Sequence, residues 1–429
     1  MMSSRKTTLL ATQCHNQFMQ KLVLMAAAIL TSVLISCSNH NEPVVLIVPS
    51  NYNTIQTAVD AARSGDVIEI EPGIYNEEVL VTKDSIVIRG KERNRVILDG
   101  SHRLANGIYV AANDVRVESL TVHSYTQNGI LFSGADTAGA DIAADKVGTP
   151  GNSLVGFEVG WVTSYNNGLY GIYGFAASDG IIEHSLVSGH PDSGVYIGQC
   201  NPCRTVIRNV IAEFNAIGYY GTNASGDLFV INSIFRNNRL GVAPNSQRAE
   251  GLFPQQESTI VGNLVLDNDE ARAPVIAEGF FGGGIVIGGG AKNVVLRNRV
   301  EGHSHIGIGV INFNGFAAMN NRVAGNKLAD NEVDLVFIAA ESGGISGNCF
   351  SGNFYTTSLP PDIDRVLPCD ATPRVVPSIS LRAAVSPPDV DYRRIPPPNA
   401  QPVMPPGGHL RPAGVRPFVP PPIDTIVLP

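Results

Sequence analysis

The chain has 429 residues, a length that alone would suggest two or three domains, and a formal net charge of −8 at pH 7. Residues 1–36 contain three basic and no acidic residues, so the remainder holds 27 basic and 38 acidic residues and carries a net charge of −11. An acidic surface disfavours nucleic acids and anionic lipid headgroups and tolerates cations. We therefore expect no nucleic-acid partner.

Residues 19–37 read as an export signal, with Lys21 before an apolar run that starts at Leu22. The run is too short and too rich in small residues to be a permanent membrane span. It predicts a signal peptide over residues 1–36, with Met19 as an alternative start, and a short tether over residues 37–44.

The end of this signal, Leu34-Ile35-Ser36-Cys37, resembles the lipobox of bacterial lipoproteins. The resemblance implies that Cys37 is the lipidated first residue of a protein held in the cell envelope, facing outside the cytoplasm. The alternative is an ordinary signal followed by a coincidental cysteine. If Cys37 is lipidated, the lipid anchor would be the only contact of the protein with a membrane.

Residues 54–62 place apolar side chains at the i, i+3, i+4 and i+7 positions of one helical face: Ile55, Ala58, Val59 and Ala62. Asn53 is the candidate N-cap, and Gly65 lies just past the end. We expect a short helix that covers the open end of the structure that follows, because exposed strand edges otherwise invite aggregation.

One phrase of about 22 residues recurs along the chain from residue 106 onward. It consists of an Asn-Gly turn, a short alternating strand, a polar break and a second alternating strand, without helical period. The steps from Gly107 to Gly129, Gly194 to Ala216, Ala216 to Arg239 and Gly284 to His305 are 22, 22, 23 and 21 residues. A unit this small cannot bury its apolar face alone, so successive units must stack.

Aligned asparagines support the repeat. One predicted column contains His184, Asn209, Asn232, Asn263, Asn298, Asn321 and Asn348, with Glu118 earlier, and another contains His190, Asn215, Asn238, Asn268, Asn326 and Asn353. Asparagine suits such positions because it tolerates left-handed backbone and its amide can bond to the amide one coil above. The pattern predicts an all-β parallel β-helix of about ten coils over residues 45–370.

These asparagine coils, together with the opening Val48-Pro49-Ser50-Asn51-Tyr52-Asn53-Thr54-Ile55-Gln56, resemble the right-handed parallel β-helix proteins of the pectin-lyase-like superfamily. The resemblance covers residues 45–370 and is specific for fold rather than activity. It implies a right-handed solenoid with a long groove suited to polymers.

Two insertions and a tail interrupt the period. Extra residues fall at Ser133 to Asn152 and between Arg239 and Gly284, and insertions in a solenoid often project from a binding face. Residues 371–429 hold 16 of the 28 prolines, so we expect a mostly disordered, polyproline-like tail there.

Four cysteines of the repeat region suggest two disulfides. Cys200 and Cys203 form a C-x-x-C that lacks further zinc ligands at suitable spacing and lacks the helical setting of a redox motif, so a turn-stapling disulfide is the plainer reading. Cys349 and Cys369 would then close the last coil.

Tyrosines mark a candidate binding face. The residue after the first buried aliphatic of each coil should point outward, and this predicted column reads Tyr109, Leu131, Tyr170, Tyr196, Gly218, Gly241, Val286 and Gly307. Strands about 4.8 Å apart match the repeat of a sugar chain, so the tyrosines, with Tyr173 beside them, could stack on a glycan. Alternatively, tyrosine is simply a good strand residue.

Acid and base candidates gather in the third and fourth coils, namely Glu158, Glu183, His184, His190 and Asp192. Carboxylate, histidine and tyrosine are what proton abstraction or glycosidic-bond protonation requires. Each histidine could equally replace a structural asparagine. The acidic pattern of polygalacturonase-like members and the Asp-Pro-His phrase of mannuronan epimerases are absent from the sequence, and no arginine base can be assigned.

The sequence therefore favours a cell-envelope protein that recognises or processes a polysaccharide, in the manner of a lyase, epimerase or hydrolase. The alternative is a non-catalytic structural or adhesion solenoid, or a metal-handling periplasmic one. We expect no obligatory cofactor, with Ca²⁺ as the alternative, no dedicated metal site, and a monomer. Any centre should lie on the third and fourth coils, flanked by the Ser133 to Asn152 insertion.

The lipid anchor can be tested directly. Cys37→Ser removes the thiol that would carry the lipid, so the variant should appear in the soluble fraction of lysed cells while the parent chain stays with the membranes. Equal membrane retention of both proteins would count against lipidation at this position.

Overall fold

The computed structural model describes residues 43–134, 154–276, 281–338, 346–370, 379, 381–406 and 418–429. The predicted signal peptide, Cys37 and most of the Ser133 to Asn152 insertion lie outside these ranges. Residues 45–429 form one compact unit. None of the helices in the described ranges is long and apolar enough to cross a membrane.

Three parallel sheets make up the described solenoid, as predicted for a parallel β-helix. The first sheet has 12 strands, which are Val45–Val48, Val67–Ile70, Val87–Gly90, Val115–Glu118, Leu154–Gly160, Ala177–Glu183, Thr205–Arg208, Leu228–Ile231, Ser258–Val261, Val294–Leu296, Arg322–Ala324 and Cys349–Ser351. The second sheet has 10 strands, which are Gly73–Tyr75, Val96–Asp99, Thr121–His123, Thr163–Tyr165, Leu186–Ser188, Ile211–Glu213, Ile234–Arg236, Leu264–Leu266, Arg299–Glu301 and Lys327–Ala329. The third sheet has 11 strands, which are Val79–Val81, Ile108–Val110, Ile130–Ser133, Tyr170–Phe175, Ser193–Cys200, Ile217–Ala224, Leu240–Asn245, Gly283–Gly288, Ile306–Ile311, Val333–Ile338 and Ser358–Leu359.

The core is a set of aliphatic columns that run from coil to coil. In the first sheet, successive strands stack Val117, Val159, Ile182, Ile207, Val230, Ile260, Val295 and Val323 in register, and each is fully buried. The interior positions predicted from the alternation, Ile108, Val110, Val195, Ile197, Ile285 and Ile287, are also fully buried. Burying one such side chain contributes about 1.5–3 kcal/mol, so the stack supplies the main driving force for folding.

A helix over Ile55–Ala61 packs on the first coil, as predicted, and buries Ile55, Ala58 and Val59. The N-cap is Thr54 rather than Asn53, because Thr54 and Thr57 form a reciprocal capping box. The Glu77 carboxylate also accepts hydrogen bonds from the backbone N–H groups of Ile55 and Gln56, both at 3.0 Å. A side chain from a later segment therefore anchors the start of the helix.

Buried side-chain amides form three ladders at the corners of the coils, whereas the sequence alignment predicted two columns. One ladder contains Asn263, Asn298, Asn326 and Asn353, a second contains Asn167, His190, Asn215, Asn238, Asn268, His303 and Asn331, and a third contains Gln255, Asn293, Asn321 and Asn348. The predicted placement of Asn321, Asn326, Asn348 and Asn353 was wrong. Asn209 and Asn232 instead hold left-handed turn positions, with φ of 52° and 48°.

A column of glycines marks the true repeat. At Gly107, Gly129, Gly171, Gly218, Gly241 and Gly284, an added Cβ would lie 2.5–2.7 Å from the carbonyl oxygen of the equivalent glycine one coil further on. Only glycine permits this close approach of backbones. The equivalent of Gly129 is thus Gly171, and the prediction that used Gly168 was displaced by three residues.

Both predicted disulfides are formed, between Cys200 and Cys203 and between Cys349 and Cys369. The first staples the turn after the strand Ser193–Cys200. The second connects the last strand of the first sheet to Cys369, which follows the short helix Ile363–Val366. Both therefore act where the sequence placed them.

The described parts of the proline-rich tail pack against the coils, so the prediction of a mostly disordered tail is wrong for them. Three arginines donate to tail carbonyls: Arg239 to Pro387 and Pro388 at 2.7 and 2.6 Å, Arg93 to Pro402 at 3.1 Å, and Arg297 to Ile423 and Ile426 at 2.6 and 2.7 Å. Short 3₁₀ helices occur at Tyr392–Arg394 and Ile423–Thr425. Proline-rich backbone leaves its carbonyls without internal partners, so it suits arginine donors.

The tail also covers an apolar stripe on the outer face of the first sheet. Ile426 and Phe418 pack on Val206, Phe229, Ile231 and Val261. A stripe of this kind, left uncovered, would be a site for association. The described parts of the tail therefore belong to the folded structure, although these residues form no strand.

Replacing Arg239, only 2% exposed, tests this attachment. Arg239→Met keeps apolar volume but removes the donors to Pro387 and Pro388, so the tail should detach locally and trypsin should cut after Arg393 or Arg394 at least about tenfold faster. Arg322→Met, at an exposed arginine of the first sheet, is the matched control. Equal cleavage rates in both variants would show that Arg239 does not hold the tail.

Candidate functional site

The acid and base candidates from the sequence do not converge on one centre. Glu183 lies on the outer face of the first sheet, where its carboxylate pairs with Arg208 at 2.5 Å. His184 follows at the turn, with φ of 51°, in the column that Asn209 and Asn232 continue. Its ring stacks on Trp161 with centroids 4.4 Å apart. Both residues therefore lie away from the third sheet, which carries the tyrosines.

His190 belongs to an amide ladder and is fully buried. Its Nδ1 lies 2.7 Å from Asn215 Oδ1 and its Nε2 lies 3.2 Å from Asn167 Nδ2, which fits a neutral ring that donates through Nδ1 and accepts through Nε2. Burial lowers the pKa of His190 to about 4. His303 repeats the arrangement further along, with its pKa also lowered to about 4 by burial. Burial and the bonds on both ring nitrogens favour a scaffold role for His190 over the predicted catalytic one.

Asp192 is the one acid candidate that faces the tyrosines. It precedes the third-sheet strand Ser193–Cys200, and its backbone bonds to Leu169 and Ile217 hold it between two coils. Removal from water raises the pKa of Asp192 to about 6, while the Tyr170 hydroxyl, which bonds to the carboxylate, opposes the rise. A carboxyl with this pKa changes charge near neutral pH.

The tyrosine row differs from the predicted column. Strand pairing aligns Tyr109, Leu131, Tyr173, Tyr196, Tyr220 and Ala243. Tyr170 lies three residues before Tyr173 and packs on it from the side, with ring centroids 4.5 Å apart. Gly218 and Gly241 belong to the glycine column instead. The predicted column was displaced because the sequence alignment used Asn-Gly pairs rather than the glycines that stack from coil to coil.

The rings also do not form an open platform. Tyr173 and Tyr196 are only 4% and 2% exposed, whereas Tyr109, Tyr170 and Tyr220 are half-buried. Tyr196 lies 4.9 Å from both Tyr170 and Tyr173, centroid to centroid. The buried pair therefore forms a floor, and the half-buried rings form its rim.

A loop over residues 246–257 supplies a second acid, Glu250, which sequence reasoning did not select. The Tyr196 hydroxyl donates to one Glu250 oxygen, and the other oxygen, Oε2, is buried and has no hydrogen-bond partner among the described residues. The loop is pinned by Asn223 Nδ2, which donates to the Gln247 and Glu250 carbonyls at 2.7 and 3.1 Å. The position of Glu250 is thus set by the third sheet beneath it.

Burial raises the pKa of Glu250 to about 7, with the Tyr196 hydroxyl acting in the opposite direction and the charge of Asp192 adding to the rise. Burial also raises the pKa of Tyr173 and Tyr196 well above the usual value. We call Tyr170, Tyr173, Tyr196, Tyr220, Asp192 and Glu250 the tyrosine–carboxylate cluster. Two desolvated carboxyls that affect one another are typical of acid–base sites.

A separate cavity of about 370 Å³ lies between the outer face of the first sheet and tail residues 418–422. Its charged lining is largely ion-paired, as in Arg116 with Glu158 and Arg204 with Asp179, both at 2.5 Å. Glu158, named as an acid candidate from the sequence, is thus neutralised at this face. Within the described ranges, His, Cys, Asp and Glu form no group of three or more able to hold a metal ion.

No protein-family model matches the sequence, and no curated protein sequence matches it. Among solved structures, the chain is similar to the A-module of mannuronan C-5 epimerase AlgE4 from Azotobacter vinelandii, with 11% identity, a TM-score of 0.48, and coverage of 71% of this chain and 91% of that one.

Two further similarities have the same character. Tailspike protein 2 of bacteriophage CBA120, in its enzymatically active domain, shares 13% identity over 73% of this chain and 47% of that chain, with a TM-score of 0.46. Pectate lyase Pel9A shares 12% identity over 74% and 77%, with a TM-score of 0.38. Identities and scores this low do not carry an argument about function, which must rest on the site itself.

Substitution of His190 separates scaffold from chemistry. His190→Asn restores the ladder residue found at Asn167 and Asn215, so the fold should survive with a small loss of stability. His190→Ala leaves buried amides unpaired and should lower the free energy of unfolding by about 3 kcal/mol. Urea unfolding at neutral pH measures both. Equal losses in the two variants would contradict the ladder role.

Proposed function

We propose that the tyrosine–carboxylate cluster binds a glycan and supplies the acid and the base for cleaving it. The observation that carries the proposal is the pair of desolvated carboxyls, Asp192 and Glu250, each bonded to a tyrosine hydroxyl. The half-buried rings of Tyr109, Tyr170 and Tyr220 offer apolar faces beside these polar groups. Aromatic faces next to a few converging polar groups are the ordinary composition of a small-molecule site.

The two carboxyls take different roles because their pKa values differ. Glu250, with the higher pKa of about 7, donates a proton to the glycosidic oxygen as the bond to the anomeric carbon breaks. Asp192, with a pKa of about 6, is ionised first and removes a proton from the water that attacks that carbon. The proton lost by Glu250 and the one gained by Asp192 balance over one hydrolysis.

Support also comes from how firmly Asp192 is held in place. Ile276 N–H donates to the Pro191 carbonyl at 2.7 Å, beside Asp192, and the same segment is held to the tail by a bond from Val275 N–H to Asp389. A carboxyl needs such support if its geometry is to be kept during reaction. The proposal also includes lipid anchoring at Cys37, an envelope location and a monomeric state. That the protein needs no cofactor, with Ca²⁺ as the alternative, stays a prediction.

Binding without turnover is the second candidate, and one observation favours it. Tyr173 and Tyr196 are nearly enclosed, and Tyr196 already occupies one oxygen of Glu250. A glycan would then rest on the rim alone, as on a lectin or an adhesion surface. A non-binding structural solenoid or a metal-handling one would leave the cluster without a ligand altogether.

The pH profile of glycan cleavage tests the acid–base assignment. Activity requires ionised Asp192 and protonated Glu250, so kcat/KM should rise as pH passes about 6 and fall as it passes about 7. Asp192→Asn and Glu250→Gln should each lower kcat by about 10²–10⁴-fold. The assay follows new reducing ends and new unsaturated ends on a panel of glycans.

A neutral change elsewhere provides the control. Glu213→Gln removes a carboxylate that pairs with Arg236 on the second sheet, and should leave the profile unchanged. If Asp192→Asn keeps full turnover on a glycan that the parent chain cleaves, the centre lies elsewhere. Binding of that glycan with no new ends at any pH would leave the lectin-like candidate.

A further inference from the structure

We infer that the tyrosine–carboxylate cluster selects neutral sugars and amino sugars and rejects polymers of uronic acids. This inference rests on the function proposed above and names its substrate class. It is carried by the signs of the charges around the cluster and by the hydrogen-bonding groups that the cluster leaves open.

The charged groups that act on the cluster, among the residues that the structure describes, are both acidic. Within the described ranges, the carboxylates of Asp192 and Glu250 both raise the pKa of Tyr170 and Tyr220, and the Glu250 carboxylate raises the pKa of Tyr196. Tyr173 feels these two acids and the neutral Tyr109. The surface is therefore negative when its carboxyls ionise.

The cation nearest along the chain points elsewhere. Arg248 lies two residues before Glu250, but its guanidinium carbon lies 4.7 Å from the centre of the Phe316 ring and 5.8 Å from that of Phe253. An arginine engaged over aromatic faces is held there by its cation–π contacts.

The outer face of the first sheet shows that this chain does pair acids with arginines where strands stack. Arg116 pairs with Glu158, Arg204 with Asp179 and Arg208 with Glu183, each at 2.5 Å. On the third sheet, the equivalent outward positions hold tyrosines instead, and Asp192 and Glu250 bond to hydroxyls. Within the described part of the chain, the lack of ion pairs to Asp192 and Glu250 is thus a local property of that face.

A uronic-acid polymer brings one carboxylate with every sugar. Neither carboxyl has an ion-paired cation among the described residues, so such a chain would be repelled by ionised Asp192 and Glu250. A close like-charge pair costs roughly tenfold in affinity even with substantial solvent screening. A protonated amino sugar is attracted by the same charges. The affinity for a neutral sugar should therefore lie between the affinities for the amino sugar and the uronate.

Hydrogen bonding points the same way. Glu250 Oε2 is a buried oxygen that has no hydrogen-bond partner in the part of the chain that the structure describes, so it needs a donor when ionised. Hydroxyl and ammonium groups donate, whereas a carboxylate only accepts. Selection against uronates also favours hydrolysis over elimination or C5 epimerisation, because both of those use the sugar carboxyl to stabilise charge next to C5.

The test is a charge series on matched chains. A glucosamine oligosaccharide, its fully N-acetylated counterpart and an oligouronate of equal length are titrated against the full chain by calorimetry at a pH just above 7, where both carboxyls are mainly ionised. We expect affinity to fall in that order, with at least about a tenfold difference between the first and the last. High salt should reduce the difference.

Variants locate the source of the selection. The double variant Asp192→Asn with Glu250→Gln should compress the difference to about threefold or less while the N-acetylated chain still binds. Glu213→Gln with Glu301→Gln removes the same net charge from the second sheet and should leave the difference intact. Melting temperatures confirm that every variant is folded.

The outcomes separate the two proposals. Oligouronate bound as tightly as the N-acetylated chain, or more tightly, overturns the charge selection and leaves glycan binding in place. Failure of all three chains to bind overturns the proposed function together with the selection. A difference that shrinks equally in the site variant and the second-sheet variant assigns it to net charge and overturns the inference, as does a difference that survives the site variant unchanged.

Discussion

Register between coils is the constraint on which the rest of this structure depends. Amide ladders such as Asn263 to Asn298, and backbone contacts such as Gly218 against Gly241, allow only one alignment of each coil on the next. A slip by one residue would turn every buried aliphatic outward. It would also leave several buried amides unpaired at once, so the aligned stack is strongly favoured.

The ladders also decide which titratable groups are open to chemistry. His190 and His303 each replace a ladder asparagine. The hydrogen bonds of the amide are then made by the two ring nitrogens, and the ring stays neutral inside the solenoid. Chemistry is left to residues outside that interior. Asp192 and Glu250 meet this condition, because they lie above the third sheet and desolvation raises their pKa values.

Segments distant in sequence complete the candidate site. The loop that carries Glu250 is held by Asn223, and the segment ending at Ile276 bonds to the backbone beside Asp192. Arg239 links that segment to the tail, since it donates to Ala273 and to Pro387. The described parts of the proline-rich tail therefore pack along the solenoid, and arginines of the solenoid donate hydrogen bonds to the carbonyl groups of the tail.

The sequence by itself determined the parallel solenoid, its buried aliphatics, the capping helix and both disulfides, because alternation, repeat length and cysteine spacing are local signals that stacking does not override. It also pointed to Asp192 and the tyrosines. Only the tertiary structure decided that His190 lies inside an amide ladder, that Tyr173 and Tyr220 rather than Tyr170 lie in the row with Tyr196, and that the described parts of the tail are docked. These depend on which residues meet across coils, and an Asn-Gly pair such as 167–168 reads the same in either register. Glu250 had no periodic signal at all, since a loop is placed by the surface beneath it rather than by its own pattern.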